Sequence, residues 1–257
     1  VKGPSDRFRR IAAWTALAAA LVALLSGVLF VVAAGPLFRE SVLTVLRDPG
    51  RLVTLGPERA DLLRWAYVAD LFGYYLLPVP LFLFVSRVAG VRRGESVGRL
   101  AAMGGLAYAA IGAGGAVMLA LVSPGLIRDA AAGQPDAIGS AAVFATITEV
   151  VHRGLWQTLE LVPVAGWFAV AAVVLRREDP VGAGAALLLA FLSLVTAVAT
   201  TLGLVPVAFA ALSPWLLLFP LLLGWTGARL LGREDFLRAK PIADRDPADD
   251  GRSLARR

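Results

Sequence analysis

IAAWTALAAALVALLSGVLFVVAAG, residues 11–35, runs for 25 residues without a charge. At roughly 1.5 Å of rise per residue, a helix of that length crosses a bilayer core of about 30 Å. Residues 1–10 before it carry Lys2, Arg7, Arg9 and Arg10, a short basic N-terminus. The competing reading is a cleaved signal peptide, for which Val32-Ala33-Ala34 would suit a peptidase. An h-region usually spans roughly 7–15 residues, so a retained membrane helix is the expectation.

The pattern then repeats. Apolar blocks cover residues 63–88, 100–122, 141–175, 181–204 and 207–231, which with residues 11–35 makes six expected spans. Hydrophobic residues are 58% of the chain and the mean hydropathy is +0.73, against about 45–50% apolar residues in a soluble domain. Charges gather between the blocks. The expected fold is an all-α integral membrane bundle of six helices over residues 11–231. A mixed-charge tail over residues 232–257 has too few apolar residues to fold.

A net charge of +6 could point to nucleic acid, but the placement of the charges points to loops at a membrane surface. With the N-terminus inside, 18 of the 25 basic residues fall in cytoplasmic pieces. The positive-inside rule therefore places both termini in the cytoplasm. Arginine supplies 23 of those 25 residues and alanine is abundant, a coding bias that fits a GC-rich bacterial genome. The expected location is a bacterial cytoplasmic membrane, with multiple passes and the lipid bilayer as the first partner. Three plus three spans would make antiparallel halves, as in many transporters, but no motif recurs between the halves.

Between the spans, residues 36–61 interleave charges with Val42, Leu43, Val45, Leu46, Leu52 and Val53. That pattern predicts an amphipathic outer segment, broken at Asp48-Pro49-Gly50 and followed by a helix start at Gly56-Pro57. In the second span Tyr67, Asp70 and Tyr74 are spaced by three and four and share one helical face, with Pro78 and Pro80 predicting a kink. The third span repeats small residues at Ala101, Gly105, Ala109 and Ala113, a seam for close packing within the bundle or, alternatively, a dimer face. Residues 123–140 read as an outer loop.

TITEVVHRGLWQTLE, residues 146–160, holds the densest polar set beside an apolar run. Thr146, Glu149, Arg153, Gln157 and Glu160 follow spacings of 3, 4, 4 and 3, one stripe of an α-helix. Polar groups are costly in lipid, so the stripe must face protein or water. Tyr67, Asp70, Tyr74, Glu149, His152, Arg153, Gln157 and Glu160 are expected to line an outward-opening pocket between helices 2 and 4. It would bind a small polar or cationic ligand, or carry protons through Asp70 and Glu160. The competing reading is a structural network in which Glu149–Arg153 or Asp70–Arg153 pairs lock helices together.

Enzyme signatures are sparse. The chain has no cysteine and one histidine, which excludes thiolate sites, bis-histidine haem and an H-E-x-x-H zinc site. No Walker or G-x-G-x-x-G motif occurs, so no cofactor or metal is implied. WAYVADLF (65–72), LLPVPLFLFV (76–85) and RGLWQTLE (153–160) resemble a family of uncharacterised bacterial multi-spanning membrane proteins, a domain of unknown function, over about residues 10–230. The resemblance implies no activity, substrate or cofactor, and draws attention only to Asp70 and Gln157. The leading expectation is a membrane protein that binds or transports a small ligand. A structural or regulatory partner subunit is the alternative, and a carboxylate-based lipid enzyme is third.

Overall fold

The computed structural model describes residues 4–40, 48–132, 136–232 and 236–237. Within them six helices are long and apolar enough to cross a membrane, one for each expected block. Span one is α1 (Asp6–Glu40). Span two joins α2 (Pro57–Asp70), a π-helical segment (Leu71–Leu76) and α3 (Val79–Arg93). Span three is α4 (Glu95–Ala131). Span four joins α5 (Ala137–Glu149), a second π-helical segment (Val150–Leu159) and α6 (Leu161–Leu175). Spans five and six are α7 (Pro180–Thr201) and α8 (Val205–Gly232). No strand occurs among the described residues.

Consecutive spans pack side by side, and span six returns against span one, so the six close into a ring. Residue size decides which face turns inward. On α1 the alanines Ala12, Ala13, Ala16, Ala19, Ala20 and Ala23 are buried, while Leu21, Leu25, Val28 and Val31 are exposed. Lipid tails are as apolar as leucine, so burying large side chains confers no advantage, and small ones let backbones approach. Added Cβ atoms test that approach. At Gly73 one would collide with the backbone of Ala23, and at Gly227 it would lie 2.8 Å from the carbonyl oxygen of Ala13.

Span three uses the same device on its own neighbours. A Cβ at Gly98 would lie 2.7 Å from Gly90 Cα, at Gly104 2.7 Å from the Pro163 carbonyl oxygen, and at Gly105 2.9 Å from Phe82 Cβ. Ala101 and Ala109 are buried with them, while Leu100, Met103 and Leu121 are exposed on the other side. The small-residue seam is thus occupied within the bundle. The space it opens is filled by aromatic rings at the centre, where Tyr74, Phe82, Tyr108, Phe168 and Trp215 all contact Phe219.

Several helices outrun their apolar blocks. At about 1.5 Å per residue, the 37 residues of α4 extend well past a core of about 30 Å. Part of the loop expected over residues 123–140 is therefore helix: α4 continues through Pro124, with Ser123, Pro124 and Ile127 buried. The far end, opposite the arginine-rich end, is tied by Arg128, whose guanidinium donates to both oxygens of Asp61 at 2.7 Å. Arg59 donates there to the carbonyls of Val32 and Ala33 at 2.7 and 3.2 Å.

Of the expected amphipathic segment, residues 41–47 lie outside the described residues. Of the rest, residues 36–40 continue α1, Pro49–Leu55 form a 3-10 helix that packs on α5, and residues 57–61 open α2. Leu52 is fully buried and a Cβ at Gly50 would lie 2.8 Å from Ala145 Cβ. The helix start at Pro57 appears as expected, after Gly56 at φ 78°.

At the arginine-rich end, Gly94 (φ 111°) alone joins spans two and three. Asp179 caps α7, accepting from Gly182 N at 3.0 Å and from Trp225 Nε1 at 2.6 Å. Arg92 pairs with Glu178, whose second oxygen accepts from Leu237 N at 2.6 Å and holds Phe236 and Leu237 against the bundle.

Candidate functional site

The two π-helical segments lie in spans two and four, one directly after Asp70 and the other directly before Glu160. In each, the backbone bonds from i to i−5: Leu77 N donates to Phe72 O at 3.0 Å and Glu160 N to Leu155 O at 2.9 Å. In span two the wide turn precedes Pro78 and Pro80, which supply no backbone donor. Such segments are rare and often mark functional positions.

The wide turns break up the stripe expected in span four. A chain closing rings from i to i+5 turns less per residue than an α-helix. Residues seven apart, stacked in an α-helix, therefore separate around the axis. Arg153 and Glu160 are such a pair. Glu149 and Arg153 form an ion pair at 2.8 Å with both side chains partly exposed, at 45% and 34%. Gln157 faces span five, where its Oε1 accepts from Thr200 Oγ1 at 3.3 Å. His152 packs on Trp156 at 4.9 Å and edge-on to Tyr67 at 6.4 Å. Glu160 turns inward and is only 3% exposed.

The face expected in span two also divides. Tyr67 points to span four, among His152 and Trp156. Tyr74 points to span six, donating to the Leu216 carbonyl at 2.8 Å and stacking on Trp215. Asp70 meets Ser26 of span one, whose hydroxyl also lies 3.1 Å from the Ala66 carbonyl.

What converges on Glu160 comes largely from residues outside the expected set. Tyr75 donates to Glu160 Oε1 at 3.3 Å, while Glu160 Oε2 is buried without a hydrogen-bond partner. Tyr75 packs against Tyr108 at 5.2 Å and Trp156 at 6.4 Å, and the Tyr108 hydroxyl is likewise buried and unpartnered. Trp156 Nε1 donates to the Gly112 carbonyl at 3.1 Å, fixing the indole behind Tyr75. Asp70, Glu160, Tyr75 and Tyr108 lie within electrostatic reach of one another. No guanidinium or ammonium acts on either carboxyl among the described residues.

One sequence signal could have located this centre. The chain has four tyrosines, Tyr67, Tyr74, Tyr75 and Tyr108, and all four belong to this aromatic cluster. Ser26 is likewise the one hydroxyl in the middle of the first apolar block.

On the other side of span four a cleft reaches in from the far end, lined by Arg153, Gln157, Thr200, Gly203, Phe209 and Leu212. Water centres have about 30 Å³ of it to occupy. A single water needs some 10–15 Å³ on that measure, so the cleft takes a water or two. Arg153 and Gln157 thus share a wall with spans five and six. The carboxyls form no metal cluster, because no three of histidine, cysteine, aspartate and glutamate gather among the described residues.

The fold defines a multi-pass α-helical membrane protein with one carboxyl, Glu160, buried inside it and a second, Asp70, partly buried within electrostatic reach. No family model, curated protein or solved structure matches the chain.

Proposed function

We propose that the protein takes up a small cation, a proton in the simplest case, at the Asp70–Glu160 pair. It carries that cation across the membrane, alone or with a small polar solute. The observation that carries this reading is Glu160, which is 3% exposed, bonded through one oxygen to Tyr75, unpartnered at the other, and within reach of a second carboxyl. A buried carboxyl with a second, partly buried one in electrostatic reach does not stay ionised and uncompensated in a low-dielectric interior; a positive partner must come from elsewhere. Ionisable residues within membrane spans mark ion pathways and proton relays by default.

The structural alternative fits other residues better. Glu149–Arg153 and Asp61–Arg128 are ion pairs near the far end with both partners partly exposed, and they account for their own charges. Glu160 belongs to no such pair among the described residues.

The test is proton entry into vesicles holding purified protein and a pH-sensitive dye, driven by an imposed potassium diffusion potential. Unsubstituted protein should acidify the lumen faster than protein-free vesicles, and Glu160→Gln should lose that excess. Equal rates for the two proteins would remove the proposed role of Glu160.

A further inference from the structure

The buried Glu160 needs an approach, and between spans two and four the space is taken by aromatic rings. Tyr67, His152, Trp156 and Tyr75 form a continuous run of ring contacts there, at 4.9 to 6.4 Å between centroids. The opposite side of span four faces the cleft bounded by spans five and six. Resting on the cation reading of Glu160, we infer that water and the cation reach Glu160 along the interface of spans four and five, entering by this cleft.

Three observations place the route. Spans four and five are antiparallel neighbours, pinned in register where Thr200 donates to Gln157 at the floor of the cleft. One turn further toward the arginine-rich end, antiparallel counting from that bond sets Thr196 on span five at the level of Glu160 on span four. Both residues carry an oxygen that is buried and unpartnered, Thr196 Oγ1 and Glu160 Oε2. Thr196 is fully buried in an apolar bundle, where an unbonded hydroxyl is costly unless something polar reaches it. On span five the polar residues continue as Thr200, Thr196 and Ser193, spaced by four and three on one face. The track ends at Ser193, whose hydroxyl donates to Leu189 O and accepts from Trp215 Nε1 at 2.8 Å. The mouth, in contrast, is flanked by Gly203 at φ 71°, in the turn that joins spans five and six.

Thiol accessibility tests the route directly. The chain has no cysteine, so Thr200→Cys, Thr196→Cys and Val198→Cys each carry a single thiol. Val198 lies on the same helix but is 58% exposed on the lipid-facing side. Full-length variants that elute like the unsubstituted protein would be reconstituted and exposed to a small, charged methanethiosulfonate. Labelling after denaturation gives the total thiol.

Only a hydrated thiol forms thiolate readily, so Thr196→Cys should react on the order of tenfold faster than Val198→Cys, and Thr200→Cys faster still. A Thr196→Cys protein no more reactive than Val198→Cys overturns the route, even where proton flux depends on Glu160. A reactive Thr196→Cys protein whose flux ignores Glu160 keeps the hydrated route and removes the cation reading.

Discussion

Two alanine substitutions two positions apart on α4 should have opposite effects. At Gly112 an added methyl would collide with the ring of Tyr75, and at Gly114 it would meet nothing within 4 Å. Gly114→Ala therefore gains helix propensity and loses no packing, a stabilisation of about 0.5–1 kcal/mol. Gly112→Ala has the same gain, set against forced overpacking of roughly 1–3 kcal/mol. Moving Tyr75 also withdraws its hydroxyl from Glu160, leaving a buried group unbonded at a cost of about 1–3 kcal/mol. The net destabilisation is about 3 kcal/mol, which for a chain of this size lowers the unfolding midpoint by roughly 6–12 °C. The assay is thermal unfolding in detergent at one fixed scan rate, comparing both variants with the unsubstituted protein. In the double variant Gly112→Ala/Tyr75→Leu, which removes the colliding ring edge, the effects should be non-additive by at least about 1 kcal/mol. Midpoints that move together for Gly112→Ala and Gly114→Ala, or strict additivity in the double variant, would refute the close approach of α4 to Tyr75.

Further outcomes follow from the same contacts. Asp179→Ala removes the cap of α7 and the acceptor for Trp225, and should destabilise by about 2 kcal/mol in the same assay, with Asp179→Asn recovering part of the loss. Arg128→Ala breaks a bidentate pair whose side chains are 48% and 58% exposed, and should shift stability by less than about 1 kcal/mol.

The number and position of the helices were legible because membrane insertion reads local composition. A run of apolar residues is a span whatever its neighbours do, and residues 11–35, 100–122 and 207–231 each lie within one observed helix. The inward turn of the span-three seam was legible for the same kind of reason, since small residues favour close helix approach in any multi-span bundle. Asp70 and Glu160 were legible as residues, because a carboxyl inside an apolar run stands out. Their arrangement was not. The spacing in residues 146–160 assumes 100° per residue, and two π-helical turns invalidate that assumption over Val150–Leu159.

The sequence alone determined that this is a six-span helical membrane protein and that span four carries its most concentrated polar chemistry. Tertiary structure decided which of those polar groups meet. It set Glu149 against Arg153 near the far end, turned Gln157 toward Thr200, and enclosed Glu160 with Tyr75 and Tyr108. Span assignment depends on a sum over neighbouring residues. A buried site depends on backbone turn angle and on ring closure between residues as far apart as Ser26, Tyr108 and Trp215, and no local window contains those.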